Sequence, residues 1–399
     1  MFILTNILDE ALKLLKQVPD GDFVDRLNYY WTSLSLSLLA YLLLGWTFYG
    51  KNIECWFPAV FSKNWQQYAL DICFVQGTYY VPFFNKTLAN LGVKQMQPVP
   101  IDPIVQDESS ISYYQWAPMI ICLQAVAFYA PIVIWRKLYE NSDIPLEDIC
   151  KLQWYKTARD EKEEDEETKK LSEAEKSAKQ IETVTRLIAQ IHETRCSMFR
   201  GSYLFLSYLF TKLLYILNAS AQFFFLMTMF GASDYMWGWE MTKDIWKGIE
   251  PEESASFPRV TICQFTIRMQ GEPATEHRVQ CLLVINFLYE KIFLLQWYYL
   301  IFVFAVNAAS LLWWTFSAIA SQTNSGKSDR QRFERYYLRF DGRFVLRLLA
   351  LNHGDTVVRK LETQLWKDFE AMRGREKSGE MKLLPIMKAK KPKVLEATV

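Results

Sequence analysis

Cysteine is the residue type whose spacing suggests chemistry. Cys55 and Cys73 are 18 positions apart, and so are Cys263 and Cys281. Such pairs form disulfides where the surroundings are oxidising, or hold a metal where they are not. A zinc site would normally bring CxxC spacing or neighbouring histidines, and only His277 lies near these cysteines. Two disulfides are therefore expected and no metal or cofactor. Four cysteines allow three pairings, and spacing alone does not choose among them. Of the other three, Cys122 falls inside a long apolar stretch, and Cys150 and Cys196 are expected as free thiols. Catalysis has little support. His192, His277 and His353 lie in different segments, and no GxSxG, HExxH or P-loop pattern occurs. With 45 Lys+Arg against 44 Asp+Glu, the chain also lacks the basic excess of a nucleic-acid binder.

The elements that position these cysteines follow from where charge is missing. Trp31–Tyr49, Tyr113–Trp135, Tyr203–Phe230 and Ile292–Ala320 together hold 99 residues, and their only charge is Lys212. At the overall charged fraction of 22%, about 22 charges would fall there. Each window is long enough for a helix to cross about 30 Å of hydrocarbon. Trp31, Trp46, Tyr49, Tyr113, Trp116, Trp135 and Trp313 lie near window ends, where such rings favour the headgroup layer.

The expected organisation has spans at 29–49, 113–138, 203–230 and 291–320. Residues 1–28 precede them. Loops 50–112 and 231–290 are sparse in Lys and Arg, whereas 139–202 and 321–399 are richer. The positive-inside rule therefore places the termini and the middle loop in the cytoplasm, with the cysteine-paired loops outside. No cleavable signal or myristoylation pattern is expected at the start.

Other segments carry weaker signals. Leu4, Ile7, Leu8, Ala11, Leu12, Leu15 and Val18 share one helical face, which suits packing on the inner membrane surface, with a pore mouth as the alternative. The acidic run 160–167 reads as a solvated helix start, with cation binding at a channel mouth as the alternative, followed by an amphipathic helix from Leu171 to Ile191. Asn85-Lys86-Thr87 is a glycosylation acceptor pattern in an outside loop. The tail lysines Lys388, Lys390, Lys391 and Lys393 read as a disordered solubilising end, with contact to anionic lipid as the alternative. Pro118 and Pro131 interrupt the second span, as hinges or through static packing. Lys212 is expected at the inner membrane interface rather than on a permeation path.

Several local motifs resemble one family, the innexins, which are invertebrate gap-junction proteins. Asp22-Phe23-Val24-Asp25-Arg26-Leu27-Asn28-Tyr29 precedes the first span. Cys55-Trp56-Phe57-Pro58, Phe61, Trp65, Tyr68, Cys73 and Thr78-Tyr79-Tyr80-Val81-Pro82 follow it. Tyr113-Tyr114-Gln115-Trp116-Ala117-Pro118 opens the second span and is the most specific signature. Lys212-Leu213-Leu214-Tyr215 with Asn218, Phe257-Pro258-Arg259-Val260-Thr261 with Cys263, His277 to Cys281, and Glu290-Lys291-Ile292-Phe293 continue the likeness. It extends to Asp341-Gly342, Asn352, Gly354, Asp355 and Trp366, and is nematode-like.

The resemblance implies an all-α membrane protein with four transmembrane helices, disulfide-linked extracellular loops of small β content, and a helical cytoplasmic dome. It implies homo- or hetero-oligomers, octameric as a hemichannel. These would dock with hemichannels of an adjacent cell at a plasma-membrane gap junction and pass ions and small metabolites. It also implies the pairs Cys55–Cys281 and Cys73–Cys263, with pairing inside each loop as the alternative. It folds the N-terminal helix into the pore, making Phe2, Thr5, Asn6 and Asp9 pore-lining candidates and reversing the surface reading. Trp56, Trp65 and Phe61 are expected as core of the loop layer. Gln264, Tyr289 and Ala221 depart from the usual family residues. A hemichannel that never docks, motivated by Asn85, and a four-span adhesion or scaffold protein without a pore are the competing readings.

Overall fold

The computed structural model describes residues 20–81, 110–140, 146–151, 181–182, 184–185, 201–229, 235–247, 257–268, 273–323 and 329–377. Phe2, Thr5, Asn6, Asp9, Asn85, Cys196, the acidic run and the tail lysines lie outside them. Four helices are long and apolar enough to cross a membrane: α1 Phe23–Tyr49, α3 Tyr113–Glu140, α5 Tyr203–Met229 and, in α7 Val284–Thr323, the stretch Val284–Ala320. They are apolar on nearly every side, and each buries only part of its surface within the chain. The fourth helix starts at Val284, and its first turns pack in protein. Ile285, Tyr289 and Phe293 are buried there.

Two compact units divide the chain. One comprises Asn28–Ala130 and Tyr215–Ala308. Its sheet has the order β1 (Glu54–Cys55), β5 (Thr275–Leu282), β4 (Val260–Ile267), β2 (Thr78–Tyr79), β3 (Ser110–Ile111). The β4–β5 hairpin sets the register, with Val260 opposite Leu282 and Ile267 opposite Thr275. Strands β1–β3 come from the first loop and β4 and β5 from the second, so the sheet is assembled from both. Helix α2 (Lys63–Gln76) packs its Ala69 and Cys73 into the same core. Helix α6 is Trp237–Trp246.

The other unit comprises Met1–Leu27, Pro131–Leu214 and Ala309–Val399. Its further described helices include α4 Leu146–Lys151, α8 Asp329–Arg332, a π-helical stretch Phe333–Leu338, α9 Arg339–His353 and α10 Asp355–Lys377. Phe344, Val345, Leu348 and Leu349 bury one face of α9. Gly201 has φ +83°, and a Cβ there would run into the Arg339 side chain. Its carbonyl accepts from the Asp341 N–H at 3.1 Å.

Candidate functional site

Two constellations stand out, one in each unit. In the sheet-bearing unit, β1 runs antiparallel to β5 with Cys55 opposite Cys281, and the two are bonded. Cys73, near the end of α2, is bonded to Cys263 of β4. The loop-internal pairs are not formed. The Sγ atoms of Cys55, Cys73 and Cys281 lie within 4.8 Å of one another, as a metal site would need, but disulfide bonding leaves no thiolates for an ion. His277 packs its ring against Phe61 and Phe265, at 5.3 and 5.6 Å between centroids, so its role here is packing.

The motif at the head of α3 serves as a cap for α2. The last four carbonyls of a helix have no partners inside it. Tyr114 Oη donates to the Cys73 and Phe74 carbonyls at 3.4 and 3.3 Å, and Gln115 Nε2 donates to those of Phe74 and Val75. Gly77, at φ +91°, then turns the chain into β2. The signature thus fixes the helix that carries Cys73.

Pro118 acts at the same place. It has no N–H to offer Tyr114, one turn earlier. The freed Tyr114 carbonyl accepts instead from Tyr289 Oη at 3.0 Å, so this proline fastens α3 to α7. Tyr289→Phe should leave that buried carbonyl unpaired and cost about 1–3 kcal/mol. A thermal melt of the purified protein in detergent reads the loss, and an unchanged midpoint refutes it.

The expectation for the loop aromatics needs correction. Phe61 does pack, against Phe57 and Trp65 at 5.7 and 5.9 Å. Trp56, however, is 75% exposed and Trp65 43%. Cys55 faces its partner across the sheet, and alternation along an extended chain sends the next side chain the other way.

In the second unit, Lys212 is 0% exposed. Its Nζ lies 2.7 Å from Asp22 Oδ1 and 2.8 Å from Asp25 Oδ1. Ser310 Oγ and Trp314 Nε1 donate to Asp22 Oδ2 at 3.1 and 2.9 Å. Tyr208 Oη donates to Asp25 Oδ2 at 2.6 Å. The two aspartates also cap α1 reciprocally, each carboxylate accepting from the other's backbone N–H. Burial pushes the Asp22 carboxyl up, but the Lys212 charge and the hydrogen bonds outweigh it and hold its pKa at about 2.

The segment just before α1 is held as firmly. Arg136 Nε pairs with Asp20 Oδ2 at 3.0 Å, and Trp135 Nε1 donates to the Asp20 carbonyl. Asn352 Nδ2 donates to the Gly21 carbonyl and its Oδ1 accepts from Arg26. Sequence reasoning assigned no role to Asp20, Asp22, Asp25, Tyr208, Ser310 or Trp314. A lone lysine inside an apolar window was the available signal, since such a charge requires a counter-ion.

Cys150, in α4, is buried and unbonded. Burial first, and the Asp20 charge second, push its thiol up to about 12. In the unfolded chain it would titrate near its ordinary 9. Its contribution to stability is therefore complete below pH 9 and is lost as pH rises from 9 towards 12. A thiolate-directed alkylating reagent at pH 8 should leave Cys150 unmodified until the protein is denatured. Rapid labelling of the native protein refutes this.

The chain matches the innexin family model over residues 21–369, a range that takes in both constellations. It belongs to the innexin family. Similar curated innexins include Innexin-12 of Caenorhabditis elegans, 34% identical over 394 residues, covering 91% of this chain and 92% of that protein. Innexin unc-9 of the same organism is 29% identical over 389 residues, covering 92% and 97%. Innexin-5 is 29% identical, covering 88% and 81%. Innexins form oligomeric gap-junction channels in membranes, and the family is one of channels rather than enzymes. In this innexin the disulfide-tied sheet and the buried Asp22–Asp25–Lys212 cluster are the parts built for a fixed geometry.

Proposed function

We propose that this innexin is a subunit of an octameric hemichannel that docks with a hemichannel of an adjacent cell and passes ions and small metabolites between cytoplasms. Residues 50–112 and 231–290 form the docking layer, and both termini and residues 139–202 are cytoplasmic. The observation that carries this reading is the construction of one five-stranded sheet from both loops, locked by two disulfides. A surface that must meet a partner across an extracellular gap gains from such cross-links, because they restrict the loops before docking. Exposed Trp56 and Val60 suit the centre of such a contact. Gln264 lies on the β4–β5 hairpin, accepting from Arg278 Nε at 3.1 Å and approaching Glu276 at 3.4 Å, where it would influence which partner docks.

Phe2, Thr5, Asn6 and Asp9 are proposed to face the pore. The family resemblance implies this placement, and the contacts of Asp20, Gly21 and Arg26 hold the start of α1 in place. Electrical coupling between paired expressing cells tests the channel reading. Coupling is expected with this chain alone or with a compatible innexin. Its absence when the protein reaches the contacting membranes refutes docking. Deleting residues 2–18 should change unitary conductance or voltage gating, and an unchanged assembled channel removes the pore-lining role.

A further inference from the structure

The fourth helix carries a shallow, open apolar groove near its C-terminal end, lined by Leu312, Trp313, Thr315, Phe316 and Ile319. Leu312, Phe316 and Ile319 are each more than 60% exposed. Beside it, the Arg347 guanidinium of α9 lies 3.9 Å from the centre of the Trp313 ring and 5.3 Å from that of Trp314. Among the described residues no carboxylate pairs with Arg347, although part of it is buried. Arg343 stands one turn earlier on the same helix face, its guanidinium 4.9 Å over Phe340.

We propose that this groove holds an anionic phospholipid of the inner leaflet, with an acyl chain along Leu312, Phe316 and Ile319 and the phosphate at Arg347. The inference rests on the orientation adopted above, which puts this end of the helix at the cytoplasmic face. Depth and charge choose the occupant. The charge-free stretch Ile292–Ala320, at about 1.5 Å per residue, is about as long as a bilayer including its headgroup layers. Trp313 to Ile319 then fall at the inner interface, where indole rings gather. An arginine stacked on tryptophan keeps its full donor fork for a phosphate. An apolar wall with a cation at its rim matches an amphiphile of opposite charge.

The test uses the full-length channel in vesicles of equal parts phosphatidylcholine and phosphatidylserine, followed by mass spectrometry of the lipids that copurify. Phosphatidylserine should be enriched about fivefold, the ratio expected for one basic residue at a membrane surface. The enrichment should fall to about one in Arg347→Gln and persist in Arg347→Lys. Equal enrichment in Arg347→Gln, or none in the wild type, overturns the proposal. If Arg347→Gln does not assemble, the wild type suffices: phosphatidylserine carrying a photoreactive group in its chain should label the peptide containing Leu312 to Ile319. Unlabelled phosphatidylserine should compete, whereas phosphatidylcholine and free phosphoserine should not. Labelling only elsewhere, or competition by either of those two, overturns it. So does cross-linking of Phe316→Cys between neighbouring subunits, which would show protein filling the groove. Loss of coupling with normal lipid enrichment would count against the docking reading and leave this site intact.

Discussion

Lys212→Met is expected to lower the stability of the folded subunit by about 3–5 kcal/mol, the usual cost of removing one member of a buried ion pair. The loss should be this large because the lysine is the cation shared by two buried carboxylates. Without it, Asp22 and Asp25 face each other across one helical turn with no positive charge between them. A lysine reaching to a membrane surface would behave otherwise, since its loss would cost about 1 kcal/mol or less. Asp22→Asn gives the contrasting result. It leaves one carboxylate and one ammonium, so its cost should be clearly smaller than that of Lys212→Met. The triple change Asp22→Asn, Asp25→Asn and Lys212→Met removes every charge of the cluster and should regain much of the single-variant loss. Thermal melts in detergent and the fraction running as assembled particles measure all three. A Lys212→Met protein as stable as wild type would show that the cluster adds no stability.

The second large effect concerns the loops. Replacing Cys55, Cys73, Cys263 and Cys281 with serine should abolish intercellular coupling while leaving the four helices inserted. Each bridge joins residues far apart in sequence, 226 positions for one and 190 for the other. Cross-links of that span are worth about 2–5 kcal/mol each. A five-stranded sheet in which three strands have only two residues has little else to hold β1 in register. The Cys55→Ser single variant should do worse than Cys55→Ser with Cys281→Ser, because it leaves a lone Cys281 thiol beside the other bridge, free to exchange. Paired-cell recording and non-reducing peptide maps read both outcomes. Normal coupling in the four-serine protein would show that docking does not need a cross-linked sheet.

The sequence by itself determined the class of this protein. Four windows with a single charge among them allow only helices that bury every backbone polar group in hydrocarbon, a constraint local enough to read from composition. Cysteine content and the paired spacing determined that cross-links were expected, and the Tyr113–Pro118 signature with the other motifs pointed to the family. Tertiary structure decided the partnerships. Which cysteine meets which depends on the register of β1 against β5 and on where α2 ends, and both involve residues some two hundred positions apart. Trp56 turned outward because a strand alternates, although its composition suggested core. Lys212 found its counter-ions only because α1 begins where α5 passes, so the one charge in the four apolar windows is the centre of a buried cluster. Pro118 shows the same division: the residue announces a missing hydrogen bond, but only packing reveals that Tyr289 supplies the replacement. Hydropathy and helix length are properties of neighbours along the chain, whereas pairing, burial of charge and capping between helices are properties of neighbours in space.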